Sequence, residues 1–244
     1  MPFSRHNKAV LQFSGGKDSL ACLFMMKEHW DKIYVVWVNT GAVYPEVIEQ
    51  MESIRAMVPN FIEARSDSLR FVEENGIPSD IVAVSDTEIG RATSGYDGVL
   101  VQPWSDCCSQ NIWMPLLRAT QETGAKLIIR GQRADDVMQA PVRSGDVIDG
   151  LEYYFPLQDM TEADVFQYLK DSDIKAPDYY SFSDTSLDCW HCTAFLNERK
   201  RELRYMRENL PDAWEVVGNN IRLIYESVSR QIVDYEDVLG LNEG

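Results

Sequence analysis

At 244 residues and 27.9 kDa the chain is long enough for one large α/β domain with a short appendage. Its 45% hydrophobic and 25% charged composition excludes collagen-like, coiled-coil and wholly disordered classes. With 23 Lys and Arg against 39 Asp and Glu the formal charge is -16, which argues against a broad phosphate-gripping surface, so a nucleic-acid partner would need a local basic patch or a second protein. No run of about 18 apolar residues occurs, and Met1-Pro2-Phe3-Ser4-Arg5-His6-Asn7-Lys8 lacks an apolar leader core, so a soluble, cytoplasmic protein without a membrane partner is expected.

The first half alternates short β-rich runs with helix-like stretches, the pattern of βαβ units around a parallel sheet. Residues 9–13 read as the first strand, 14–19 as a glycine-bearing turn and 20–27 as a helix packed on the sheet. Residues 33–38 read as a strand buried on both faces, ending at Asn39-Thr40-Gly41. After Pro45, Val47, Met51, Ile54 and Met57 recur at helical spacing, and residues 61–64 give the next strand. Further on, the pattern predicts a helix over 66–75, a strand over 81–84, an exposed loop over 91–98, a helix over 111–123 and a strand over 127–129, which runs into the turn 130–133. Thr161-Glu162-Ala163-Asp164 has the form of a capping box opening a helix through Val165, Tyr168 and Leu169. Residues 179–188 are turn-rich, 193–209 read as a strongly charged helix, and Ile221, Ile224 and Val228 predict a helix beyond Pro211.

Ser14-Gly15-Gly16-Lys17-Asp18-Ser19 follows a predicted strand and opens a predicted helix. Two glycines permit a tight turn and let backbone N–H groups approach a phosphate at a helix N-terminus. Lys17 and Ser19 can donate to oxyanions, and Asp18 is a candidate ligand for Mg²⁺. The spacing departs from G-x-x-x-x-G-K-[ST], so γ-phosphoryl transfer is not the natural reading. Strand ends of neighbouring βα units converge at one edge of a parallel sheet, which adds Asn39, Thr40, Gly131 and Arg133 to the expected nucleotide site.

The loop resembles the PP-loop of the ATP pyrophosphatase superfamily, whose consensus begins SGGxDS. Thr40-Gly41-Ala42-Val43-Tyr44-Pro45-Glu46 is similar to the T-G-x-x-(F/Y)-P-E segment of the phosphoadenosine phosphosulfate reductase family, and Gly131-Gln132-Arg133 to its G-x-R turn. Pro156-Leu157, Thr161-Glu162, Asp164-Val165 and Tyr168-Leu169 resemble its P-L-x-x-W-T-E-x-D-V-x-x-Y-L stretch, with Met160 in place of the tryptophan. The resemblance covers residues 8–200. It implies a Rossmann-like parallel sheet flanked by helices, of the adenine nucleotide α-hydrolase kind, with a C-terminal helical extension. The domains expected are an α/β domain over 1–210 and a helical tail over 211–244.

Five cysteines is an odd count for a disulfide framework. Cys107-Cys108 and Cys189-Trp190-His191-Cys192 look like the C-C…C-x-x-C signature of the adenylyl-sulfate reductase branch, which holds a 4Fe–4S cluster; the basic pair usual after the first cysteines is replaced by Asn111-Ile112. Four thiolates suit an iron–sulfur cube whose separate irons accommodate adjacent cysteines, whereas one zinc bound by neighbouring residues is geometrically awkward; zinc, disulfides and unligated thiols stay open as alternatives. Trp190 reads as a shield for the site and His191 as a hydrogen-bond partner rather than a ligand.

Reductases of this family end in an E-C-G-L-H segment whose cysteine attacks sulfur, and this chain has no cysteine after Cys192. Cys22, on the helix after the loop, reads as a buried structural thiol. The resemblance therefore points to an ATP pyrophosphatase that adenylates an acceptor, with Lys17, Asp18 and Ser19 as catalytic residues. It would serve a sulfur-transfer system such as DNA phosphorothioation, with a cysteine desulfurase as sulfur donor and nucleic acid reached through partner proteins. Sulfonucleotide reduction with a thiol supplied by a partner, and a noncatalytic nucleotide- or cluster-sensing subunit, are the alternatives. Residues 197–204 are the best local candidate for a nucleic-acid contact, against a solvated helix face.

Overall fold

A computed structural model describes residues 2–137, 139–187 and 189–241. In chain order the elements are β1 (Ala9–Gln12), α1 (Lys17–Met25), β2 (Ile33–Asn39), α2 (Pro45–Met57), β3 (Phe61–Arg65), α3 (Ser68–Asn75), β4 (Ile77–Ser79), α4 (Glu88–Ser94), β5 (Val101–Pro103) and α5 (Trp104–Cys108). After a π-helical turn at Ser109–Trp113 come α6 (Met114–Thr123), β6 (Leu127–Ile129), β7 (Val147–Ile148), β8 (Leu151–Tyr154), α7 (Glu162–Asp171), α8 (Lys200–Asn209) and α9 (Pro211–Leu239). They form two units, one of residues 1–39, 43–66 and 112–188, the other of 40–42, 67–111 and 189–244.

The first unit is built on a six-stranded sheet ordered β3-β2-β1-β6-β8-β7, parallel throughout except for the edge hairpin β7–β8. Ala9, Val10 and Leu11 are fully buried, as a central strand covered on both faces requires. On one face Val10, Val36 and Ile128 pack with Ala119 of α6 and Ala125. By the period of two, Leu11 and its register partner Ile129 point to the opposite face. The chain leaves β1 toward β2 on one side, while β6 lies on the other. The gap between β1 and β6 is therefore the place where neighbouring connections diverge and a ligand can enter at the carboxyl ends of the strands.

The second unit pairs β4 with β5 in parallel and carries α3, α4, α5, α8 and α9. Arg230 of α9 donates to the fully buried Asp86 at 3.0 Å and stacks over Tyr96. No helix among the described residues is long and apolar enough to cross a membrane.

Three local expectations are corrected and a fourth is refined. The strand expected over 81–84 lies instead at Ile77–Ser79; Ser79 Oγ accepts from the Ile81 N–H, a 3-10 turn follows, and Ile81 and Val84 are exposed. The loop expected over 91–98 begins as helix, because Thr87 caps α4 by accepting from the Gly90 N–H, and Gly95 ends it at φ +69°. The helix expected over 111–123 is helical throughout: residues 111–113 end the π-turn Ser109–Trp113, and α6 follows from Met114, with Pro115, which offers no N–H, in its first turn. The charged helix expected over 193–209 is helical only from Lys200, since Phe195 adopts φ +56° and its carbonyl accepts from both Glu198 and Arg199 in a turn.

Candidate nucleotide loop and cysteine motif

Gly15 takes φ +87°, a conformation that favours glycine, and a Cβ there would strike Met51 of α2 at 2.7 Å. A Cβ on Gly16 would meet Ser186 at 2.9 Å. Ser19 Oγ donates to the Gly16 carbonyl at 3.0 Å and lies 3.4 Å from Ser14 Oγ, which accepts from the Gly16 N–H. The turn is thus closed by its own two serines, and α1 starts at Lys17 directly after it. Gly131, just after β6, lies against this start: a Cβ would come within 2.9 Å of the Asp18 carbonyl carbon.

Lys17 is 4% exposed, and its ammonium reaches Glu162 at 2.9 Å and Asp18 at 3.3 Å. Burial opposes that charge, but Tyr180, Glu162 and Asp18 outweigh it, and the Lys17 pKa lies above the ordinary lysine value. Burial has the larger say at Asp18, whose carboxyl is raised despite Lys17 and Arg133. The Arg133 guanidinium reaches Asp136 at 2.8 Å, Asp18 at 3.3 Å and Glu162 at 3.5 Å. Its buried Nε lies 3.2 Å from Asp135 without the angle of a hydrogen bond. Burial disfavours this cation too, and Asp18, Asp136 and Asp135 more than offset it. Two cations held in place by carboxylates can exchange those partners for phosphate oxygens, Arg133 in a planar, two-pronged manner.

Of the expected nucleotide residues, the structure brings together Ser14, Gly15, Gly16, Lys17, Asp18, Ser19, Gly131 and Arg133. Asn39 belongs to the same unit, at the end of β2, where its amide donates to Glu63 at 2.9 Å. Thr40 belongs to the second unit: its hydroxyl accepts from the Cys189 thiol at 3.1 Å and its carbonyl from the Ser68 N–H. Sequence reasoning missed Glu162 as a partner of Lys17, although the capping box had located it, and missed Asp135, Asp136, Phe166, Tyr179 and Tyr180 around the loop.

The four cysteines of the motif all lie in the second unit and, like Cys22, are in the reduced thiol form. Cys107 ends near Cys192: burial first, then the Cys192 charge, pushes its thiol up to about 11, against the Asn111 amide that donates toward it. Asn111 gives one amide hydrogen-bond to the Cys107 carbonyl at 3.0 Å and lies 3.8 Å from Cys107 Sγ. The Ala194 N–H points to Cys192 Sγ at 3.5 Å, and the Trp190 N–H donates to the Ala42 carbonyl at 3.0 Å. His191 Nε2 lies 2.8 Å from Ser68 Oγ, and burial followed by the Arg199 charge lowers its pKa to about 4, so the ring is neutral at pH 7. Among the described residues no three His, Cys, Asp or Glu side chains converge as they would on a single metal ion. The donors, four thiols with amide groups directed at two of the sulfurs, match soft-metal or iron–sulfur ligation in kind.

Within residues 197–204, Lys200, Arg201 and Arg204 are exposed, and Arg199 is the exception. It is 5% exposed, pairs with buried Glu202 and donates to the Cys192 carbonyl, so it braces the C-x-x-C turn. Cys22 is fully buried, with its thiol 3.8 Å from the Arg130 carbonyl and its pKa raised by burial.

The adenosine 5'-phosphosulfate reductase of Burkholderia cepacia is 26% identical over 196 residues, covering 78% of this chain and 71% of that protein. The enzyme of the same name from Neisseria meningitidis serogroup A is 25% identical over 169 residues, covering 66% of this chain and 62% of that one. Among solved structures, the phosphoadenylyl-sulfate reductase of Candida auris superimposes with a TM-score of 0.55 at 15% identity, over 78% of this chain and 85% of the other, a likeness of fold. The model of the phosphoadenosine phosphosulfate reductase domain matches residues 8–195, and with its α/β Rossmann-like sheet the chain belongs to that family.

Proposed function

We propose that the chain is an ATP pyrophosphatase that adenylates an acceptor in a sulfur-transfer system of the DNA phosphorothioation type. One observation carries this choice over reduction. Cys22, the one thiol among the described residues of the unit bearing the loop, is fully buried and its pKa raised, so it is neither accessible nor ionised for attack on a sulfonucleotide.

In the proposed reaction an acceptor oxygen attacks the α-phosphorus of ATP, the α–β anhydride bond breaks and pyrophosphate leaves. Lys17, Arg133 and the first amides of α1 stabilise the charge on the departing group. Asp18 is the loop carboxylate that would hold Mg²⁺, which when bound would supply positive charge to the phosphates. A sulfur nucleophile then displaces AMP from the activated acceptor. Cys107, Cys108, Cys189 and Cys192 would hold a 4Fe–4S cluster, which when bound would supply a soft, thiolate-ligated iron site able to take up sulfide.

The second reading is reduction of adenylyl sulfate by a thiol from a partner protein, favoured by the two named relatives at 26% and 25% identity. Incubating anaerobically purified protein with ATP or with adenylyl sulfate separates the two. Formation of AMP and pyrophosphate from ATP, accelerated by a cysteine desulfurase and nucleic acid, is expected. Sulfite release with thioredoxin as the only added protein would overturn adenylation in favour of reduction.

A further inference from the structure

Two consecutive tyrosines on a short 3-10 turn, Asp178–Ser181, grip the loop in opposite senses. Tyr179 is 1% exposed and its hydroxyl donates to the Gly15 carbonyl at 3.0 Å. Tyr180 is half-buried, and its hydroxyl oxygen accepts from the Lys17 backbone N–H at 3.0 Å. The Tyr180 ring centroid lies 5.2 Å from the Lys17 ammonium, with Phe166 5.6 Å from the same nitrogen and packed edge-on against Tyr180.

These bonds differ in what can compete for them. An anion brings only acceptor oxygens, so it has no claim on the Gly15 carbonyl. The Lys17 amide is in the first turn of a nine-residue helix, one of the donors that no intrahelical carbonyl satisfies. A phosphate oxygen is a stronger acceptor for that donor than a neutral phenol.

We propose that Tyr180 is a positioning residue of the nucleotide site: its phenol oxygen holds the Lys17 amide in place of a phosphate oxygen, and an incoming pyrophosphate group takes that amide by displacing it. Tyr179 keeps the loop anchored during the exchange, and the Tyr180 and Phe166 rings keep the Lys17 ammonium aimed at the same point. The proposal rests on the nucleotide reading of the loop. It makes loop affinity the difference between two ligands of one amide, so removing the weaker one strengthens the other.

The test is calorimetric titration of the full chain with pyrophosphate and with ATP, in the wild type and in Tyr180→Phe, Tyr179→Phe and Lys17→Ala. Tyr180→Phe is expected to bind pyrophosphate about three- to tenfold more tightly, the scale of one neutral hydrogen bond no longer surrendered. Tyr179→Phe, which loosens the anchor, is expected to bind more weakly; a merely structural role for Tyr180 would lower affinity in both. Unchanged or weaker binding by a folded Tyr180→Phe, with wild-type binding that depends on Lys17, overturns the proposal and leaves the nucleotide reading standing. Failure of the wild type and Tyr180→Phe alike to bind either ligand removes both. A second measurement uses the wild type alone: a tyrosine difference spectrum should develop with pyrophosphate and saturate with the calorimetric constant, and binding without it overturns the exchange.

Discussion

The Asn111 side-chain amide donates to the Cys107 carbonyl at 3.0 Å from a position only 4% exposed, one turn beyond the adjacent cysteines. Its Nδ2 also approaches Cys107 Sγ, where α5 passes into the π-turn. Asn111→Ala removes this buried hydrogen bond. The expected cost is about 0.5–1.5 kcal/mol of unfolding free energy, together with less iron per chain after anaerobic purification. Urea titration and iron analysis check it; wild-type stability with wild-type iron would show that the amide does neither job.

Replacing Cys107, Cys108, Cys189 or Cys192 singly by serine should abolish the iron content and visible absorption of anaerobically purified protein, while Cys22→Ala should leave both intact. Cys22 is buried in the other unit with its thiol on the Arg130 carbonyl, so its loss costs packing only. Protein carrying stoichiometric zinc and no iron would contradict the cluster assignment.

The strand–loop–helix order at Ser14–Ser19 was legible because apolar alternation, paired glycines and a helix start coincide within a dozen residues, and the spacing of the cysteines was equally plain. What surrounds them was not. Arg199 lies within a run of charges that reads as solvent-facing, and only the turn set by Phe195 rotates it under Cys192. Tyr179 and Tyr180 sit more than 160 residues from the loop they touch, in a stretch without periodicity, so no local pattern could pair them with Gly15 and Lys17. The β4–β5 pair escaped notice because three-residue strands are too short to show alternation.

Glu63 gives a pH dependence with a definite sign. Burial pushes its carboxyl up, but hydrogen bonds from Asn39, Arg65 and Arg55 outweigh it and hold the group below the usual glutamate range. A carboxyl depressed in the folded state adds stability that is fully present above the unfolded value of about 4.3 and is lost as pH falls through the lower folded value. Glu63→Gln should therefore be less stable than wild type at pH 7, and the two should converge as pH drops from about 4.3. Urea midpoints across that range check this, and a gap that stays constant down to the acid transition would contradict it.

Lys17→Ala should separate binding from folding. The ammonium is 4% exposed, yet its partner Glu162 keeps 47% of its side chain in solvent and Asp18 keeps 26%, so removing the cation leaves carboxylates that water can still solvate. The usual penalty for stranding a buried charge is thus largely avoided, and thermal unfolding should shift little. ATP affinity should fall about ten- to a hundredfold, the worth of a hydrogen bond to a charged group. Lys17→Arg should restore little of it, because a planar guanidinium does not fit where the Phe166 and Tyr180 rings flank a compact ammonium. Calorimetry with ATP and a melting curve on each variant check both halves; unchanged affinity in a folded Lys17→Ala would remove the nucleotide site from this loop.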